Sequence, residues 1–320
     1  MTPRHACIVG AGTKASHPYP RRASSGLTPH RSPITGPTLA RIDARRSVPG
    51  RSRACSSSLP QMGETTIEPL DDTAAADWLV SAIPDHFHGR VVDLVTSTFP
   101  AYARIFHRPD QGLPSGDRPS TWAAIADDRG AVFHPAAQFT DMSREADRPD
   151  TERIPGPRLG TLDPITLPLM VAHLSAHTDT PEVCWSALWA GFGSSPARWR
   201  AKPAFRLPGR QYWLFSGALA DVVALSSELE TAGLPETWSR TVRAMGIVQS
   251  PTIWWPHDRS WLVHSEIDYD STIVGGTPAL IQELVADPEI EALQVDGHVS
   301  LYANGDRING SHPSGRPPLG

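Results

Sequence analysis

The chain has 320 residues and a formal net charge of −5, and its charges are unevenly distributed. Residues 1–60 contain ten basic residues and one acidic residue, whereas the remainder contains 19 basic and 33 acidic residues. No run of about 18 apolar residues occurs, which argues against a transmembrane helix, and three cysteines are too few for a disulfide framework. We therefore expect a soluble cytoplasmic protein with no membrane partner.

Residues 1–66 are predicted to form a disordered extension rich in Arg, Ser and Pro. Its apolar residues are few and follow no helical or strand period, so it cannot bury enough apolar surface to offset the entropy of ordering. Three interpretations stay open: a transit peptide, a nucleic-acid-binding arm, or upstream sequence with the true start at Met62. Nucleic acid is expected as a partner only through the basic residues 1–60.

Residues 67–310 are predicted to form a single α+β domain with a mainly antiparallel sheet, followed by a loose tail at 311–320. Predicted helices cover Asp71 or Asp72 to about Ile83, 121–129 between a Ser120 cap and Gly130, the segment after Asp163-Pro164, 218–232, and 279–287 after Thr277-Pro278. Predicted strands cover 90–95, 101–107, 183–189, 212–217, 253–255, 260–269 and 291–295, with 253–269 forming a hairpin and loops at 108–119 and 143–162.

The stretch "EIDYDSTIVGG", residues 266–276, has the Asp-x-Asp spacing of the phosphoryl-transfer loop in haloacid-dehalogenase-type phosphatases. That chemistry needs the pair at the end of the first strand of a parallel sheet, with a basic residue and further acids on later strands. Only 48 residues follow Thr272 and none is Lys. The preceding segment also has the pattern of a hairpin arm, so we do not assign this activity.

The predicted strand 260–269 has two different faces, because alternate residues on a strand share a side. One face carries Trp261, Val263, Ile267 and Tyr269, and the other carries Leu262, His264, Glu266, Asp268 and Asp270. The polar row fits a solvated face, a divalent-cation site or an acid–base site. Side chains two residues apart lie about 7 Å apart, so one ion cannot bind all three carboxylates.

Two adjacent tryptophans, Trp254 and Trp255, lie on the other arm of the predicted hairpin. Extended neighbours point in opposite directions, so one of them could face outward and contact a ligand or a protein partner. The candidate ligand-binding residues are therefore His264, Glu266, Asp268, Asp270, Trp254 and Trp255.

Three weaker patterns also occur. His173 and His177 have the spacing of zinc ligands on a helix, and His86 and His88 could supply two ligands from a strand. Neither pair comes with a marked third ligand, which favours packing or solvent exposure. Cys184 lies between apolar neighbours and is predicted to be a core thiol.

The run "SPTIWWPHDRSWLVHSEIDYDSTIVGGTPALIQELVADPEIEA", with "DWLVSAIPDHFHGRVVDLV" and "FPAYARIFHRP" upstream, resembles an uncharacterised family of actinobacterial cytoplasmic proteins. The resemblance covers about residues 75–295 and is strongest at 250–292. It implies a cytoplasmic location, and because the family has no established activity, no catalytic residues can be carried over from it. We expect a domain that binds a small ligand or a protein without catalysis. The alternative is a hydrolase-like or metal-dependent enzyme that uses Glu266, Asp268 or Asp270.

Overall fold

The computed structural model describes residues 67–109, 121–143, 156–193, 195–244 and 248–310. The predicted extension 1–66, the Ser120 cap, the tail 311–320 and most of the loops predicted at 108–119 and 143–162 lie outside the described residues. In the described part, helices pack on one antiparallel sheet of eight strands, which confirms the α+β prediction.

The sheet runs in the order β3-β4-β2-β5-β6-β7-β1-β8, and each neighbouring pair is antiparallel. Its strands are β1 (Ala101–Phe106), β2 (Cys184–Trp189), β3 (Phe205–Leu207), β4 (Arg210–Gly217), β5 (Ile253–Pro256), β6 (Leu262–His264), β7 (Ser271–Gly276) and β8 (Ala292–Gln294). The helices are α1 (Asp77–Ala82), α2 (Val91–Val95), α3 (Trp122–Arg129), α4 (Phe139–Met142), α5 (Thr166–Ala176), α6 (Val222–Thr231), α7 (Glu236–Ala244) and α8 (Pro278–Ala286). No helix of the described residues is long and apolar enough to cross a bilayer.

Local capping signals fix several helix ends. The Thr121 side chain accepts a hydrogen bond from the backbone N–H of Ala124 and thereby caps α3. Gly130 ends α3 at φ +65°, a left-handed conformation that glycine adopts without strain. Thr277 caps α8 in the same way, and Pro278 occupies its first position, as the sequence predicts.

The central strands are buried on both faces. Trp254, Trp261 and Val263 lie in one apolar cluster, whereas Trp255 and Leu262 lie in a second cluster on the other face. The expectation that Trp254 or Trp255 faces outward is therefore wrong, because both are at most 1% exposed. For the same reason, the face of β6 that includes Leu262 and His264 is not a solvated face.

Two predicted strands are corrected. Residues 91–95 form the short helix α2 with Arg90 as its N-cap, and Val91 to Val95 are all buried. A short helix buried all round has no apolar period that distinguishes it from a buried strand. The predicted strand 260–269 is regular only over β6, and a turn follows in which Tyr269 N–H donates to Glu266 O. The hairpin with β5 is confirmed by the pairing of Ile253 with His264.

Replacement of Trp261 by alanine tests whether the central strands are buried on both faces. Trp261 is fully buried, packs edge-on against Trp254 at 5.7 Å, and donates its indole N–H to Leu174 O at 3.0 Å. We expect Trp261→Ala to lower the free energy of unfolding by about 3–5 kcal/mol in chemical denaturation. The matched control is Trp238→Ala, because Trp238 on α7 is 64% exposed. This substitution should lower the free energy of unfolding by under about 0.5 kcal/mol. Equal losses in the two variants would contradict this packing.

Candidate functional site

A cavity of about 610 Å³ opens beside the second apolar cluster. Its walls come from the loop 83–87, the end of α2, the turn between β3 and β4, the end of β6 with the turn that follows, and Tyr302. We call it the acidic cavity, since carboxylates outnumber cations among its described lining residues.

The turn between β3 and β4 places an arginine at the wall of this cavity. Leu207 pairs with Arg210, so only Pro208 and Gly209 connect the strands. Gly209 has φ +75°, which suits the third position of a type II turn after proline. Proline fixes the first half of this turn and glycine permits the second, so Arg210 begins β4 in a defined position.

Arg210 ties two of the predicted acidic residues together. Its guanidinium donates to Glu266 Oε1 at 2.9 and 2.5 Å and to Asp268 Oδ2 at 2.5 Å. The same group lies over the Trp189 ring, 5.4 Å from its centroid. Glu266 is buried, whereas the Asp268 side chain is 71% exposed. Arg210 therefore holds the turn after β6 with one buried and one exposed ion pair.

His264 is the most unusual polar residue of the cavity. Its Nδ1 lies 3.0 Å from Leu94 O, which can only accept, so Nδ1 carries the proton. The carbonyl is free for this contact because the last carbonyls of a helix lack intrahelical partners. The other nitrogen, Nε2, is buried without a hydrogen-bond partner. It lies 3.7 Å from Glu266 Oε2, which is beyond hydrogen-bond distance.

Glu266 is a carboxylate despite its burial. Burial by itself would raise the pKa of Glu266, but the hydrogen bonds and the positive charge of Arg210 oppose this rise and favour the carboxylate. In the neutral tautomer, His264 Nε2 is an acceptor that faces the carboxylate oxygen. The pair thus presents two acceptor atoms side by side with no donor between them.

Three aromatic rings, those of Phe87, Tyr269 and Tyr302, also line the cavity and form its aromatic wall. The Phe87 ring lies 6.3 Å from Tyr269 and 6.0 Å from Tyr302, centroid to centroid. Leu301 N–H donates to Gly89 O at 2.7 Å and the Tyr302 hydroxyl to Phe87 O at 3.3 Å. These bonds attach the segment around residue 301 to the loop before α2 and set the position of the rings.

The lining carries a net negative charge. Its described residues include the carboxylates of Asp85, Asp93, Glu266 and Asp268 but only one guanidinium, that of Arg210. Asp93 is neutralised locally, because it pairs with Arg90 at 2.9 Å. It also accepts backbone N–H bonds from residues 88 and 90. The other three carboxylates share the single charge of Arg210.

The structure brings together His264, Glu266 and Asp268 of the predicted residues and leaves the others elsewhere. Asp270 points away from the cavity to Arg104, at 3.4 Å, and Trp254 and Trp255 belong to the apolar clusters. No group of three or more metal-ligating side chains that could hold an ion exists in the described ranges. Sequence patterns did not reveal Arg210, because the turn that precedes β4 was not predicted, and they indicated no role for Asp85 or for the rings of Phe87 and Tyr302.

Asp270 belongs to a separate buried network. Arg104 is 1% exposed and donates to Ser271 Oγ and to the carbonyls of residues 135 and 137. Burial raises the pKa of Asp270, although the contact with Arg104 opposes this rise. Next to it, His107 Nδ1 donates to Arg158 O at 2.8 Å, so Nε2 accepts from the Thr272 hydroxyl at 2.8 Å. The network links β1 to β7 and is structural.

The weaker histidine patterns also have structural explanations. His173 of α5 lies 2.8 Å from Asp287, which directly follows α8, and His177, which directly follows α5, lies 2.9 Å from Glu283 of α8. The helical spacing therefore serves a contact between these two helices. His86 lies in the cavity lining but His88 does not. Cys184 is a core thiol as predicted, and burial raises its pKa to about 12.

Comparison of the chain with protein-family models, with curated proteins and with solved structures gives no match. We therefore infer function from the geometry of the acidic cavity.

His107 gives the fold a specific dependence on pH. Burial lowers its pKa from the usual 6.5 to about 4. The His107 imidazole takes up a proton near pH 6.5 in the unfolded chain but only near pH 4 in the folded chain. The stability that the buried neutral imidazole contributes is therefore fully present above pH 6.5 and is lost as the pH falls to 4. The loss amounts to about 3 kcal/mol.

Chemical denaturation at pH 7 and at pH 4.5 measures this effect. His107→Gln should lower the free energy of unfolding at pH 7 and reduce the further loss of stability between pH 7 and pH 4.5. The matched control is His257→Gln, at an exposed position, which should lose as much stability between pH 7 and pH 4.5 as the wild-type protein. A His107→Gln variant with an unchanged dependence on pH would show that this residue is not buried in its neutral form.

Proposed function

We propose that the protein binds a small organic ligand in the acidic cavity and performs no chemistry on it. The volume, about 610 Å³, lies within the range of about 300–1,000 Å³ typical of small-molecule sites. The lining combines apolar and aromatic side chains with a few polar groups, which is the usual composition of such sites. A concave site of this size favours a small molecule over a protein partner.

The observation that carries the proposal is the unpaired Nε2 of His264. A buried polar atom without a partner costs about 1–3 kcal/mol, and such atoms are rare enough in native proteins to need an explanation. An occupant that donates to Nε2 would remove this cost. Because the atom belongs to a residue that lines the cavity, ligand binding gives the unpaired nitrogen a role.

Catalysis has less support from the same geometry. The described lining residues include no Ser, Thr, Cys or Lys that could act as a nucleophile beside His264. Of the three carboxylates considered for an enzyme, Glu266 and Asp268 are engaged by Arg210, and Asp270 lies against Arg104. Binding therefore accounts for the arrangement with fewer assumptions than hydrolysis or metal-dependent chemistry.

A cavity-blocking substitution tests the proposal. Benzyl alcohol, a small neutral probe with an aromatic body and one hydroxyl, should receive saturation transfer from the protein in NMR experiments at millimolar concentration. Leu207→Trp adds bulk from a residue that lines the cavity and should abolish the transfer. The matched control is Arg206→Trp, one residue earlier on β3 and therefore on its opposite face, which should preserve it.

Two results would contradict the proposal. One is the absence of saturation transfer to benzyl alcohol with the wild-type protein. The other is transfer that persists unchanged in a folded Leu207→Trp variant, because the probe would then bind elsewhere.

A further inference from the structure

We infer that the ligand of the acidic cavity is a small organic cation: a protonated amine on an apolar or aromatic body, whose N–H groups bind Glu266 and His264. This inference rests on the proposed function and adds the chemical class of the ligand. Three independent features of the cavity point to the same class.

The first feature is the pair of facing acceptors. His264 Nε2 and Glu266 Oε2 lie 3.7 Å apart, a separation that one ammonium nitrogen can bridge with hydrogen bonds of about 2.9 Å to each. An ammonium group has three N–H donors and no acceptor. It can therefore satisfy both atoms at once. A carboxylate or phosphate placed there would add a third acceptor to two that already lack a donor.

The second feature is the charge of the walls. Glu266, Asp268 and Asp85 are set against Arg210 alone, once the Asp93–Arg90 pair is counted as neutral. Arg210 is already bound by two carboxylates, so it has little capacity to bind an anionic ligand. Burial of Glu266 reduces screening by solvent, which strengthens its attraction for a cation.

The third feature is the aromatic wall. The centroid of the Phe87 ring lies 6.3 Å from that of Tyr269 and 6.0 Å from that of Tyr302. The faces of such rings attract cations by about 0.5–2 kcal/mol, more when the site excludes water. The same rings, with Leu94 and Leu207 nearby, bury an apolar body. Cation and apolar body therefore both find complementary surfaces in one site.

Matched probes separate the charge of the ligand from its shape. Benzylamine, which is protonated at neutral pH, and benzyl alcohol share the same ring and chain length and differ in the terminal group. We expect the wild-type protein to bind benzylamine at least about tenfold more tightly than benzyl alcohol, as measured by NMR or calorimetric titration. Benzoate should bind more weakly than either.

Substitution of the buried carboxylate supplies the second arm of the experiment. Glu266→Gln keeps the shape of the side chain and removes its charge. It should reduce the affinity for benzylamine by about tenfold or more and reduce the affinity for benzyl alcohol much less. Asp85→Asn, at an exposed lining position, should show the same selectivity with a smaller effect. The matched control is Glu283→Gln on α8, outside the lining, which should change neither affinity.

The outcomes distinguish this inference from the function on which it rests. Equal affinity for benzyl alcohol and benzylamine in the wild-type protein would overturn the cation inference and leave the proposed binding site intact. An equal loss of both affinities in Glu266→Gln would do the same. Failure of all three probes to bind the folded protein would overturn both.

Discussion

Burial of the central strands on both faces is the constraint on which the rest of the structure depends. Because α5, α6 and α8 cover one face and the α1–α2 region covers the other, consecutive residues of β5 and β6 enter two different apolar clusters. Trp254 and Trp255 illustrate the effect, since they point in opposite directions and are both buried. A polar residue in such a strand must find a partner inside the protein or meet a cavity.

His264 and the residues after it meet this constraint in an unusual way. His264 ends β6 and finds one partner in Leu94 O at the end of α2, while its second nitrogen stays buried without a hydrogen-bond partner beside the acidic cavity. The chain then turns, so Glu266, Asp268 and Tyr269 all line the same cavity, although strict alternation would separate Tyr269 from the other two. Arg210 holds that turn from the other side of β2 and β5. The cavity is thus built where regular pairing of β6 stops.

Sequence patterns predicted the elements whose signals are local. The caps and glycines of α3 and α8, and the apolar runs of β1, β2 and β4, agree with the structure to within one or two residues. Helix α2 was mistaken for a strand because Val-Val-Asp-Leu-Val is rich in β-branched residues. Its helical turn depends on Asp93, which binds the backbone N–H of Arg90. The acidic row identified three cavity residues, but Arg210 is more than 50 positions away from them, and no local pattern records a contact of that kind.

The central claim is that His264 Nε2 and Glu266 together receive a donor from the ligand. The most direct test is the ¹⁵N chemical shift of the His264 side chain during addition of benzylamine, with the buried His107 as an internal reference. The account predicts that the Nε2 resonance of His264 moves on saturation, while Nδ1, bound to Leu94 O, and both nitrogens of His107 stay in place. A His264 Nε2 resonance that does not move, while benzylamine binds to the protein, would contradict it.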